Sequence, residues 1–176
     1  TIRIVDTETG DEIKPNEIGM IEVKGPNVFK GYWNMPEKTA SEFRKDGFFI
    51  TGDLGLIDER GYLQIVGRGK DLIISGGLNI YPKEIEDIID AIPGVNESAV
   101  IGLPHSDFGE GVVAVIVPKK NSILNSNIIM EHLRPQLARF KHPKKIVFVD
   151  ELPRNTMGKV QKNILRDQFN HIQFEN

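Results

Sequence analysis

The stretch Gly67–Pro82, GRGKDLIISGGLNIYP, limits the possible folds of this chain more than any other. Gly67, Gly69, Gly76 and Gly77 bracket a charged trio (Arg68, Lys70, Asp71) and a short apolar run, Leu72–Ile74. Glycine opens the φ > 0 region and lets backbone approach a ligand closely. The pattern predicts a joint: a buried strand between loops that carry charge, set where two structured halves of the chain meet. Pro82 then opens a helix at its first position, where a missing N–H leaves nothing unbonded. A plain interdomain linker is the competing reading, and paired glycines beside a buried strand and a fixed charge cluster speak against it.

The residues before the joint read as β. Ile2–Val5 and Ile21–Val23 are β-branched runs separated by the turn-rich Asp6–Gly19. Gly25–Asn34 is a loop whose Phe29, Tyr32 and Trp33 are expected to pack on a neighbour. Pro36–Phe43 carries helix signals, with Pro first, then an acid, then Ala40 and Phe43 three apart. Phe48–Thr51, Leu54–Ile57 and Tyr62–Val66 are three more strands, the last two joined as a hairpin by Asp58–Gly61. So few helices cannot cover the sheet, which implies further sequence that is absent here.

Beyond the joint the periodicity changes. In Lys83–Ile92, Ile85, Ile88, Ile89 and Ile92 recur at i, i+3, i+4, i+7, and Gly94 ends the helix. Val95–Leu103 and Gly111–Val117 are strands, the second almost continuously apolar and therefore buried. Asn127–Leu137 is a helix that Pro135 should kink or restart, Ile146–Val149 a last strand and Val160–Phe169 a last helix. Helices on a small mixed sheet define an α+β domain. With 39% hydrophobic and 27% charged residues among 176, the chain can bury an ordinary core. Its 22 basic and 25 acidic residues argue against non-specific binding of nucleic acid. It contains no cysteine, which excludes disulfides and thiolate chemistry. No apolar run reaches the length of a membrane span, and a cytoplasmic setting is expected. His105, His132, His142 and His171 lack ligand spacing, so no metal site is expected and these residues are assigned to the surface. Asp107 and Glu110 are assigned to a solvated loop.

Three constellations can carry chemistry. Thr51-Gly52-Asp53 sits in a break between strands, and a carboxylate beside glycine can accept hydrogen bonds from vicinal hydroxyls. Its plainer reading is an Asp that satisfies a turn. The second is the Gly67–Pro82 joint. The third, PRNTMGKVQK over Pro153–Lys162, presents Lys159 on a glycine-containing, mobile loop just before a helix. A lysine there can enter a site and neutralise phosphoryl charge, although a solvated lysine at a helix start is the simpler reading for the loop alone.

Together these motifs resemble the C-terminal part of the adenylate-forming superfamily, which includes acyl- and aryl-CoA ligases, peptide adenylation domains and luciferases. Gly31-Tyr32-Trp33 with Pro36-Glu37-Lys38-Thr39, and Asp46–Asp53, extend the resemblance over essentially the whole chain. The peptides VKGPNVFKGYWNMPEKTASEF, LARFKHPKKIVFVDELP and PRNTMGKVQKN look most like malonyl-CoA synthetases. The resemblance implies the β-rich end of a large N-terminal domain over residues 1–69 and a small mobile α+β domain over 70–176.

It also implies roles. Asp53 and Arg68 would hold the ribose hydroxyls of ATP and acyl-AMP, and Lys70 would be the hinge between two half-reactions. Lys159 would contact the carboxylate and α-phosphate during adenylation. Gly76 and Gly77 would border the pantetheine tunnel, with Phe140 and His142 near CoA. The implied reaction joins a carboxylic acid to CoA through acyl-AMP, using ATP and Mg2+, the metal held mainly by an N-terminal domain that is the chain's own partner. The superfamily's Ser/Thr/Gly-rich phosphate loop and its Tyr-Gly-x-Thr-Glu motif are not in these residues, so the chain alone is expected to be inactive. Two other readings stay open. One is a non-catalytic nucleotide- or CoA-binding module. The other is a ligase for another acid, such as a medium-chain fatty or aryl acid.

Overall fold

A computed structural model describes residues 1–174, which fall into two compact units, Thr1–Lys70 and a second from Asp71 onward.

In the first unit, strands β1 (Ile2–Val5), β2 (Gly19–Val23), β3 (Phe49–Ile57) and β4 (Leu63–Arg68) form an antiparallel sheet in sequence order. Helix α1 (Pro36–Glu42) lies between β2 and β3 in the chain. Ile4 pairs with Ile21, and both are buried. The Glu22 carboxylate on the other face is completely buried, yet two arginines satisfy it. Arg3 donates to it from Nε at 2.9 Å and Nη2 at 2.7 Å, and Arg44 from Nε at 2.7 Å. Charge-assisted pairs of this kind offset the desolvation of a carboxylate. Asp58 closes the β3–β4 hairpin by accepting from the Arg60 and Tyr62 amides, with Gly61 at φ 84°.

Two expectations fail in this unit. Residues 48–57 do not break into two strands, because β3 runs unbroken and bulges instead. Met20 pairs with Leu54 while Glu22 pairs with Ile50, so the extra residues of Thr51–Asp53 loop out with Gly52 at φ 76°. A bulge absorbs extra residues without ending the strand. Phe29 and Tyr32 do pack edge to face 5.1 Å apart, and Phe29 meets Phe43 and Phe49. Trp33, by contrast, is 89% exposed.

The second unit hangs on one long hairpin, β7 (Val95–His105) and β8 (Gly109–Pro118). Strand β5 (Ile73–Ser75) meets the start of β8 through Ser75 and Gly109, and β6 (Leu78–Ile80) continues the sheet. Strand β9 (Lys145–Phe148) runs parallel to β8 along Val113–Ile116. Successive residues of β8 alternate between two cores. Val112, Ala114 and Ile116 pack with Ile85 and Ile89 of α2 (Pro82–Asp90) and with Ile129 and Leu133 of α3 (Ser126–Leu133). Val113, Val115 and Val117 pack with Leu165 and Phe169 of α4 (Lys162–Phe169). A strand covered on both faces must be apolar at every position, as its sequence is.

Other departures have local causes. α3 stops at Leu133 rather than bending at Pro135: Arg134 keeps helical angles (φ −53°, ψ −45°), but proline has no N–H to donate to the carbonyl four residues back and its ring crowds that carbonyl. Val160 forms a β-bridge with Arg154, so α4 starts only at Lys162. The run Leu72–Ile74 alternates in burial, with Ile73 inside and Ile74 52% exposed. β6, which is too short to show in sequence, completes that hairpin. His105 is buried, and Glu110 is not a solvated loop residue: its Oε2 accepts from the Ile74 amide at 2.7 Å.

Truncating Leu133, which has no exposed surface, leaves a cavity between α3 and the sheet. Leu133→Ala is expected to destabilise the second unit by about 2–5 kcal/mol. Ile123→Ala, at an 89% exposed position, should shift stability by less than about 0.5 kcal/mol. Denaturant melts of the two variants compare them directly, and equal shifts would contradict this core.

Candidate functional site

In the first unit the β3 bulge sets Asp53 directly across from Arg68 of β4. Arg68 Nε lies 3.0 Å from Asp53 Oδ1, and Nη1 donates to the Thr51 carbonyl at 3.2 Å. Thr51 Oγ1 donates to the Ile21 carbonyl at 2.8 Å and accepts from the Asp53 amide at 3.0 Å, which ties the bulge to β2. Asp53 spends one oxygen on Arg68, and its side chain stays partly exposed. A carboxylate so held can still accept from a ligand's hydroxyls.

A cleft of about 480 Å³ opens beside this pair, lined among others by Met20, Tyr32, Thr51, Gly52, Arg68 and Lys70. The Glu42 carboxylate accepts from the Tyr32 hydroxyl, and that hydrogen bond, with burial adding to it, raises the Tyr32 pKa above the ordinary phenol value. Lys38 Nζ covers the ring at 4.4 Å. Lys70 is exposed, in the short 3-10 turn Gly69–Asp71 that ends the unit.

In the second unit a larger cleft, about 790 Å³, is walled by apolar surfaces and rimmed by cations. Phe108, Phe140 and Met130 supply apolar wall, while Arg134, Arg139 and Lys144 supply charge. Gly76 and His142 line it too. Gly76 and Gly77 form the two-residue β5–β6 turn, with φ 59° and 78°, the two positive values of a type I′ turn. His142 Nε2 lies 3.1 Å from the Leu137 carbonyl, which makes Nε2 the protonated nitrogen and fixes the ring. Lys144 Nζ sits 4.2 Å above the Phe108 ring. Such a site suits a ligand with a flat aromatic part and several negative charges.

Lys159 is not on that lining. It ends a loop that is pinned rather than mobile: Asn155 Oδ1 accepts from the Met157 amide at 3.0 Å and the Lys159 amide at 2.9 Å. The Asn155 amide donates to the Lys159 carbonyl, Gly158 takes φ 77°, and Arg154 spans from the Gly158 carbonyl to Glu97. The Lys159 ammonium is exposed and has no carboxylate within salt-bridge distance among the described residues.

The fold therefore joins Asp53 with Arg68 in one unit, and Gly76 with Phe140 and His142 in the other. Gly77 adjoins that cleft without lining it. Arg134, Arg139, Lys144 and Phe108 escaped the sequence reading. The basic run from Arg134 to Lys145 was the signal available for them. Among the described residues no cluster of three His, Asp or Glu side chains could hold a metal ion.

Residues 84–159 match the family model of the AMP-binding enzyme C-terminal domain. Indoleacetate–CoA ligase of Aromatoleum aromaticum is 46% identical over 166 residues, which are 94% of this chain and 32% of that protein. Long-chain-fatty-acid–CoA ligase FadD13 of Mycobacterium tuberculosis is likewise 46% identical, over 91% of this chain and 32% of its own length. The crystal structure of ATP-bound MatB from Rhodopseudomonas palustris superposes with a TM-score of 0.91 at 66% identity, covering 97% of this chain and 34% of that one. The chain belongs to the adenylate-forming, acyl-CoA ligase superfamily and carries its C-terminal AMP-binding enzyme domain. It spans about a third of the length of the relatives it matches.

The loop that carries Lys159 depends on one side chain. Asn155→Ala removes two hydrogen bonds, each contributing on the order of 1 kcal/mol. Amide exchange at Met157 and Lys159 should quicken about tenfold or more, while β8 amides keep their rates. Unchanged exchange at both loop amides would show that Asn155 does not hold the loop.

Proposed function

We propose that this chain is the C-terminal part of an ATP-dependent acyl-CoA ligase that works in the cytoplasm. In the first half-reaction a carboxylate oxygen attacks the α-phosphorus of ATP, pyrophosphate leaves, and acyl-AMP forms. In the second, the CoA sulfur attacks the acyl carbon and AMP leaves. The observation that carries this reading is Lys159: an exposed cation without a carboxylate partner among the described residues, on a loop that spends several hydrogen bonds on shape. A module that only bound nucleotide would have no need of it. Both reactants of the first step are anions, so a cation brought to the carboxylate and α-phosphate lowers the barrier by offsetting their repulsion.

The remaining roles follow the same chemistry. Asp53, braced by Arg68, accepts from the ribose hydroxyls. The cationic cleft takes CoA, with Gly76, Gly77, Phe140 and His142 along the path of its pantetheine arm. Lys70, in the turn where the first unit ends, is the hinge about which one unit moves between the two steps. The ATP-bound state of MatB supports use of the nucleotide. Mg2+ finds no ligand set among the described residues and would be held elsewhere in the whole enzyme, with its nucleotide. Malonate is the acid proposed, on the malonyl-CoA synthetase-like peptides together with the 66% identity to MatB. Relatives named for an indole acid and for long-chain fatty acids match this region at 46% identity, below the 66% of MatB.

Lys159→Ala in the intact enzyme is expected to slow adenylation by at least about 10²–10³-fold, the effect of losing one preorganised donor. Thioester formation from supplied acyl-AMP should be spared. The melting temperature should stay put, since the side chain is exposed. Equal loss in both half-reactions, in a folded variant, would remove Lys159 from the adenylation step.

A further inference from the structure

Phe174 connects to the cleft through a relay of rings. Phe174 stacks on the buried His105 ring with centroids 4.9 Å apart and an interplanar angle of 26°. His105 meets Phe108 edge to face at 4.8 Å, and Phe108 lies under Lys144 Nζ in the cleft wall. His105 is locked between them, because its Nδ1 accepts from the Asp107 amide at 3.1 Å. Phe174 has a prepared seat. A Cβ at Gly111 would come within 2.5–2.8 Å of its ring atoms, so only glycine at that point of β8 leaves room for the ring. The φ of Gly111 is not in the left-handed region, so the absent side chain serves space and not backbone conformation.

We propose that Phe174 and His105 are positioning residues for the cationic cleft. Seated over Gly111, Phe174 holds His105, and His105 holds the Phe108 ring and, through it, the Lys144 ammonium at the orientation that receives the ligand. Phe108 is 42% exposed at the β7–β8 turn, where its carbonyl accepts from the Gly76 amide at 2.8 Å and its ring lies beside Gly76, so His105 supplies the aromatic contact that sets its orientation. Without the relay its ring can rotate away from Lys144, and the cleft loses a flat wall and a placed charge together. The inference rests on the reading that this cleft takes CoA, and it adds Phe174 and His105 to the residues that determine CoA affinity.

The test is calorimetric titration of CoA into the intact enzyme and four variants: Phe174→Ala, Phe174→Tyr, Gly111→Ala and Arg139→Ala. Edge-to-face and stacked ring contacts correspond to about a three- to tenfold change in affinity. Phe174→Ala should weaken CoA by that factor, and Phe174→Tyr, which keeps the ring, should restore it. Gly111→Ala, which lies off the cleft lining and leaves Phe174 itself in place, should reproduce the loss by unseating the ring. In the same samples the Lys144 ε-methylene protons, shifted upfield by the Phe108 ring current, should move toward their ordinary position in Phe174→Ala and Gly111→Ala only. A loss of CoA affinity in Arg139→Ala alone would leave the CoA cleft standing and overturn the relay. No CoA binding by the parent enzyme would overturn the CoA reading and the positioning role with it. Retention of the Lys144 shift in both Phe174→Ala and Gly111→Ala would overturn the relay whatever the affinities.

Discussion

The second unit depends on burying one hairpin from both sides. β7 and β8 separate two cores, so alternate positions of β8, and of β7 after its bulge between Val95 and Glu97, face α2 and α3 or α4. A one-residue slip would exchange the two sets, and polar Glu97 or Ser98 would have to enter a core. That rigidity gives the functional groups fixed footings. The cleft lies where the start of β8, the β5–β6 turn and the segment between α3 and β9 converge, so its cations project from anchored positions. The Lys159 loop precedes α4, whose Leu165 and Phe169 are buried in the other core.

The first unit solves a related problem by other means. Its sheet is short, and its most buried polar group, Glu22, is a carboxylate between two arginines. Those pairs fix β1, β2 and the end of α1 relative to one another, and β3 bulges against this frame. The bulge turns Asp53 toward Arg68, and Thr51 bonds back to β2 so that the turn cannot relax. The groups to which we assign ribose thus stand on a distortion stabilised by its neighbours, as bulges beside sites commonly are.

How far the sequence could be read depended on whether a feature was written in one segment or shared between several. The α2 helix and the continuously apolar β8 were legible because periodicity records burial residue by residue. Asp53, Arg68 and Lys159 stood out because glycine and charge were adjacent in the chain. The bulge reads as a break, since a positive-φ glycine inside a strand and one at a turn look alike in sequence. Pro135 ended α3 where a kink was expected. The cationic cleft was missed because its arginines and Phe108 come from segments that only the fold unites, and His105 because its burial is provided by Phe174, far along the chain.

The central claim is that this chain serves an enzyme that makes a thioester by way of an adenylate. Its most direct test supplies the intact enzyme with malonate, ATP and CoA and follows every product by chromatography. The account predicts malonyl-CoA, AMP and pyrophosphate in equal amounts, with thioester formation requiring all three substrates. ADP and inorganic phosphate in place of AMP and pyrophosphate, or ATP turnover without thioester, would contradict it.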